Sequence, residues 1–227
     1  MKIYRDLEQG RDEWLQARCG VLTASTIGTL LTPTGKSAKN DKSKRLVFEL
    51  LSQRISKFVE PIHMTYTMER GHFDEAEAKL KYSQEVELVD EVGFITEDKW
   101  GITIGYSPDG LVGEEGLIEV KSRLHALQVM TIIGQEVPAE YLAQIQTGLM
   151  VSQRKWLDFI SYPASGGAKM MILRVYPDPE MQSTLLDAAH DCERQITSML
   201  TEYEASLKSP ALRFFDTERR VELEITV

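Results

Sequence analysis

The chain is short of cysteine: its 227 residues include two, Cys19 and Cys192. Two thiols so far apart make no disulfide framework, which agrees with a reducing compartment. Long apolar runs are missing as well. No stretch approaches the ~18 residues of a bilayer-spanning helix. The first residues, Met1, Lys2, Ile3, Tyr4, Arg5 and Asp6, lack the apolar centre of a signal peptide, so a cytoplasmic location is expected. Proline and glycine are present at ordinary levels, 8 and 15 residues, which excludes collagenous or linker-rich architecture. An excess of positive charge is also absent: 26 Lys+Arg against 35 Asp+Glu leave a net charge of −9. Such a protein does not coat nucleic acid over its whole surface, since phosphate binding needs clustered cations. An enzyme holding DNA in a local basic channel, or one gathering acids around a metal, stays compatible with that balance.

What is present is a globular mixture, 42% apolar and 27% charged, with no internal repeat and no low-complexity tract. Its length suits one domain. We read residues 1–227 as a single unit with a helical N-terminal part at 1–60, a sheet core at 61–176, and a C-terminal helix and tail at 177–227. Helices are expected at 10–18, from Thr23 or Ser25 to a stop at Pro33, at 42–59 and at 68–82. The apolar period then changes. Val86 to Ile95, 102–106 and 117–121 read as strands joined by Gly-containing turns. Helices at 123–133 and 138–151 follow, the second opened by Pro138. Strands are expected at 156–162 and 170–175 around a turn at 163–167. Met181, Leu185, Ala188, Cys192, Ile196, Met199 and Tyr203 then mark a long helix, and 221–227 alternates like an edge strand. Helices on either side of a mixed sheet make an α/β or α+β sandwich.

The informative segment runs from Ser107 to Lys121. Asp109 stands where a strand meets a turn, and ten residues later Glu119 and Lys121 lie two apart on a strand. A period of two puts both on one face, with Val120 turned the other way. Their neighbours Leu117 and Ile118 are apolar, so charges are presented from a mostly buried element, which is costly unless they are paired or bind a metal. Two carboxylates beside a lysine suit Mg²⁺, a hard cation that keeps several waters. Metal-assisted phosphodiester hydrolysis is the chemistry such a set serves. The same residues would also make a plain salt-bridged hairpin.

Four further places carry similar double readings. Gly71 to Glu75 can bring a third carboxylate towards the metal, or Glu75 is one of several solvated acids with Asp74 and Glu77. Tyr141 and Gln144 share a helical face at i, i+3, or are ordinary polar helix positions. Arg18 followed by the small-residue turn to Ser25 suits a phosphate, or Ser25 is only a helix cap. Residues 35–45 hold five cations and one acid, either a grip on the phosphate backbone or a solvated loop.

In order, Trp14-x-x-x-Arg18-x-Gly20-Val21-Leu22-Thr23-Ala24-Ser25, Gly71-x-x-x-Glu75, Ser107-Pro108-Asp109-Gly110, Glu119-Val120-Lys121 and Ala143-Gln144 resemble the phage lambda-type exonucleases. These are viral recombinase exonucleases of the PD-(D/E)xK, restriction-endonuclease-like superfamily. The resemblance covers the chain from Trp14 to the long C-terminal helix and implies an α/β fold with a mixed central sheet flanked by helices. It implies a catalytic set of Asp109, Glu119, Lys121 and Glu75. Asp109, Glu119, the Val120 carbonyl and Glu75 would serve one or two Mg²⁺ ions, or Mn²⁺. Arg18, Ser25, Ser107 and Gln144 match the positions that hold the 5′-terminal phosphate. The implied activity is 5′→3′ digestion of one strand of linear duplex DNA, leaving 3′ single strands for strand annealing. A ring-shaped homotrimer, a single-strand annealing protein as partner and a phage or prophage protein in a bacterial host belong to the same implication. The tail from Ala211 to Val227 has no counterpart in it.

A site-specific or structure-specific endonuclease of the same fold, or a non-catalytic DNA-end-binding module, are the alternatives. Other motifs fall away. Gly35-Lys36-Ser37 lacks the earlier P-loop glycine, since Leu30 stands there. His63, His72, His125 and His190 lack zinc spacing. Cys19 has no histidine placed to activate it.

Overall fold

A computed structural model describes residues 1–32, 34–60, 65–164 and 167–217. The expected stop at Pro33, His63, part of the 163–167 turn and the strand read at 221–227 lie outside those residues. In chain order the elements are β1 (Lys2–Tyr4), α1 (Asp12–Arg18), β2 (Leu22–Thr23), α2 (Ala24–Ile27), α3 (Asp41–Ser56), α4 (Tyr66–Glu85), β3 (Val89–Asp90) and β4 (Phe94–Glu97). Then come β5 (Ile104–Tyr106), β6 (Gly110–Val112), β7 (Gly116–Arg123), α5 (His125–Gly134), α6 (Ala139–Ser152), β8 (Trp156–Pro163), β9 (Met171–Val175) and α7 (Pro179–Ser206). Caps fix the long helices. Asn40 accepts from the Ser43 N–H, Thr65 from Met68, and Asp178 from Glu180 and Met181 with Pro179 in the first turn.

The mixed sheet expected from the sequence is divided in two, ordered β1-β4-β5-β2 and β3-β6-β7-β8-β9. Parallel pairing joins β2 to β5 and β7 to β8; the other pairs are antiparallel. The N-terminal part is less helical than expected, because β1 and β2 are too short to leave an alternating pattern. The strand expected from Val86 to Ile95 is split into β3 and β4, and it starts later than expected because α4 continues to Glu85 and leaves Val86 and Leu88 exposed.

Strand β7 runs through the centre of the larger sheet, and its two faces part the core. Ile118 and Val120 pack with Ala78 and Tyr82 of α4. Leu117 joins Ile145 and Leu149 of α6 and Leu157 and Phe159 of β8 in the main core. Glu119 and Lys121, by alternation, face α6. Helix α6 also touches the smaller sheet, where a Cβ on Gly148 would stand 2.7 Å from the Tyr106 ring. Only glycine there lets that buried ring pass.

Helix α4 is tied to the sheet by a buried charge cluster. Asp158, 2% exposed, accepts two bonds from Arg174 (2.8 Å each) and one from the Tyr82 hydroxyl (2.6 Å). The Arg174 guanidinium lies 3.6 Å over Trp156. Both Asp158 oxygens are paired in that cluster, which marks it as structural.

Candidate active site

Asp109 follows the end of β5 and directly precedes β6. Pairing between β6 and β7 ends at Gly110 with Ile118. Beyond it the Val120 N–H donates to Asp109 Oδ2 at 2.6 Å instead of to a strand. In a strand the N–H and C=O of one residue face the same neighbour, so the Val120 carbonyl faces the Asp109 edge too.

Glu119 is 1% exposed. Its Oε1 accepts from the Lys121 ammonium (2.7 Å) and from the Gln144 amide, and its Oε2 from the Tyr106 hydroxyl (3.0 Å). Burial first, then the negative charges of Glu119 and Glu75, push the Asp109 carboxyl well above its usual range, against Lys121 and the Val120 N–H. Burial alone would lower the Lys121 ammonium, but Glu119 and Asp109 outweigh it and raise its pKa. Burial and the same two carboxylates raise the Tyr106 phenol, keeping it a donor.

Glu75 comes from α4, on the other side of the sheet, and its carboxylate is engaged by Lys79 at 3.0 Å. Lys79 also holds Glu91 at 3.0 Å. Among the described residues no three acidic, histidine or cysteine side chains gather as a ready metal cage. Two carboxylates and a backbone carbonyl remain on one edge, an all-oxygen donor set that fits a hard divalent cation completed by waters. Burial, with Glu119 and Glu75 nearby, disfavours the ionised Asp109 carboxylate, a cost that a bound cation would offset.

A second cluster adjoins the first. The Arg18 guanidinium donates to Ser107 Oγ at 2.9 Å, and the Trp14 indole donates to the same oxygen at 3.0 Å. Arg18 lies 4.2 Å over the Trp14 ring and 5.6 Å over Phe94. No carboxylate pairs with it among the described residues, and burial lowers its pKa to about 10. A half-buried cation without a counter-charge is a natural anion site. Parallel pairing of Thr23 with Gly105 makes the chains after them, with Ser25 and Ser107, leave the sheet at the same end. Ser25 is exposed there, bonded to Thr23 Oγ1 at 3.2 Å. Gln144 stands against Glu119, between the two clusters in role.

The basic stretch 35–45 forms an exposed loop and the first turn of α3, where Arg45 pairs with Glu49 at 2.8 Å. Sequence reasoning passed over Tyr106 and Lys79. A tyrosine ending an apolar strand needs a hydroxyl partner when buried, and that was the available signal for the first. The i, i+4 spacing of Glu75 and Lys79 was the signal for the second.

The family profile of the YqaJ-like viral recombinase domain matches residues 13–155. Among solved structures, the alkaline exonuclease LHK-Exo from Laribacter hongkongensis is 30% identical, with a TM-score of 0.73, over 87% of this chain and 100% of that one. LHK-Exo in complex with dAMP aligns with a TM-score of 0.72, at the same identity and coverage. A phage-related exonuclease from Haemophilus somnus shares the fold at 13% identity, with a TM-score of 0.58, over 81% of this chain and 96% of that one. No curated protein matches the sequence. The restriction-endonuclease-like α/β architecture expected from the motifs is the one these structures share with the chain.

Proposed function

Because the chain belongs to the YqaJ-like viral recombinase family, we propose that it is a metal-dependent DNA exonuclease that shortens the 5′-ended strand of linear duplex. The observation that carries the proposal is the meeting of Asp109, Glu119 and Lys121 beside an unneutralised Arg18. The exonuclease activity named for LHK-Exo, and its complex with the mononucleotide dAMP, support the same reading.

In this reading Asp109, Glu119 and the Val120 carbonyl would hold Mg²⁺ or Mn²⁺, and Glu75, now paired with Lys79, would be available to a second ion. The bound cation would lower the pKa of a water and offset charge developing on the scissile phosphate. Tyr106 and Gln144 fix the Glu119 carboxylate by hydrogen bonds from two sides. The Lys121 ammonium orients the attacking water and neutralises charge beside it. Arg18, with the Ser107 and Ser25 hydroxyls and the Gln144 amide, grips the terminal 5′ phosphate and so measures one nucleotide from the end. The lysines of 36–44 follow the duplex backbone.

The single-domain organisation, a ring of three copies, a single-strand annealing partner and a cytoplasmic site of action in a phage-infected host complete the proposal. Outward-facing Leu127, Met130 and Ile133 on α5 support self-association; sedimentation at micromolar concentration tests it.

The deciding experiment incubates duplex carrying 5′ phosphates with Mg²⁺. The expected result is labelled 5′-terminal mononucleotide, a surviving complementary strand and an untouched covalently closed circle. Nicking of the circle would favour an endonuclease. Release from 3′ ends would reverse the polarity. No cutting with either Mg²⁺ or Mn²⁺ would remove the enzyme reading.

A further inference from the structure

From Glu119 onward, every second residue of β7 carries a charge on the face beneath α6: Glu119, Lys121, Arg123. Each meets the first turns of that helix. Glu119 takes Gln144, and the Lys121 ammonium lies 5.4 Å from the Tyr141 ring centroid. Arg123 donates to the Tyr141 hydroxyl and to Glu140 at 2.8 Å each. Tyr141 has no part in the chemistry described above, yet it is held from two sides. Its ring stacks on Phe159 at 5.8 Å and 28°. Its hydroxyl is held by an arginine that is only 5% exposed and whose Nε has no partner. A buried guanidinium with an unsatisfied donor is costly to keep. Packing a ring against Phe159 does not require it.

Lys121 makes two direct contacts, with the Glu119 Oε1 atom at 2.7 Å and with the Tyr141 ring, while Asp109 acts on it through space. The first is shared with Gln144, and on the reading above it is also a metal ligand. An ammonium that relies on that oxygen alone would lose its aim when the carboxylate serves the cation. The ring face attracts it independently. We propose that Tyr141, clamped by Phe159 and Arg123, is a positioning residue that holds the Lys121 ammonium at the reacting centre through its ring. Its importance for turnover rests on the nuclease reading, whereas the contact itself does not.

The test compares Tyr141→Phe, which keeps the ring, with Tyr141→Leu, which removes it, in the full chain. In protein labelled with ¹³C-lysine and without added metal, the Lys121 ε-methylene signal is identified by its loss in Lys121→Ala. Ring current should displace it upfield in the wild type and in Tyr141→Phe, and the displacement should vanish in Tyr141→Leu. On linear duplex, Tyr141→Leu should lose about tenfold or more in kcat at similar KM, and Tyr141→Phe should stay near the wild type. An unmoved lysine signal, or a leucine variant with wild-type kcat, overturns the proposal. So does an equal loss in Tyr141→Phe, which would place the role in the hydroxyl. If Tyr141→Leu fails to fold, Tyr141→Met fills the same volume without a ring and is judged by the same outcomes. A wild type that cuts no DNA would sink the nuclease reading, while the lysine signal would still decide the contact.

Discussion

Replacing Asp109 by asparagine removes one charge and little else. The amide oxygen can still accept the Val120 N–H that now reaches Oδ2 at 2.6 Å. In the metal-free protein the aspartate carboxyl is raised by burial and by Glu119 and Glu75, so its ionised form opposes folding. A carboxyl raised in the folded state binds its proton more tightly there than in the unfolded chain, so stability falls as pH rises. The penalty is absent below about pH 4, the ordinary carboxyl value. It grows from there to the raised folded value and is complete above it. Asp109→Asn should therefore melt higher than the wild type near neutral pH in chelator, with the gap closing in acid. Relieving such functional strain is typically worth about 1 kcal/mol, or about 2–4 °C for a chain of this length. Magnesium should reverse the order. At a hundred times its Kd a ligand adds about 2.7 kcal/mol, about 5–10 °C, and only the wild type should gain it. Differential scanning calorimetry in chelator and in Mg²⁺, at several pH values, reads both halves. An asparagine variant that melts lower in chelator, or that gains as much from Mg²⁺, would refute the reasoning.

Three other substitutions separate the parts of the site. Gly148→Ala puts a methyl group 2.7 Å from the Tyr106 ring; it should cost about 1–3 kcal/mol and reduce turnover by displacing the hydroxyl from Glu119, and unchanged turnover would remove Tyr106 from the account. Arg18→Gln should slow digestion of 5′-phosphorylated ends about tenfold to a hundredfold and leave 5′-hydroxyl ends unaffected, whereas equal slowing of both would dismiss the phosphate pocket. Arg174→Met strips the buried Asp158 of its bidentate partner; because Arg174 is 41% exposed, water softens the loss to about 1–3 kcal/mol. Turnover per folded molecule should then stay constant, and a specific loss of turnover would show that this cluster does more than hold α4.

The carboxylate–lysine set was legible because two local rules suffice for it. A Ser-Pro-Asp-Gly turn marks a strand end, and the period of two places Glu119 and Lys121 on one face. The long helix at Pro179–Ser206 was legible for a similar reason, its apolar stripe being long and regular. Tyr106 was not, because its hydroxyl partner comes from another strand, and a lone tyrosine among apolar residues reads as core. Strands β1 and β2, three and two residues long, are formed by pairing with β4 and β5 rather than by their own pattern. Helix α5 misleads in a more instructive way. Its apolar residues Leu127, Val129, Met130 and Ile133 face outward. The inward side holds Gln128, whose amide bridges the Ser161 and Lys169 carbonyls, and Thr131. An apolar stripe states that one face avoids water, but not whether the rest of the same chain provides the cover.

Glu75 shows how a single cationic side chain, Lys79, bears on the proposed metal site. Its carboxylate acts on Asp109 through space, so it lies near the centre, yet it is paired with Lys79 at 3.0 Å. Lys79 is held by Glu91 as well, and burial, which by itself would lower its pKa, is outweighed by the two glutamates, which raise it. It stays charged at any working pH. Recruiting Glu75 to a second ion therefore breaks an ion pair that the first ion leaves intact. If the proposed metal site holds, the Asp109–Glu119 edge would fill at lower metal concentration, and the α4 carboxylate would join only where a second cation outweighs the loss of the Lys79 pair. On that proposal Lys79 would set the threshold between one-ion and two-ion occupancy from a position outside the proposed catalytic set.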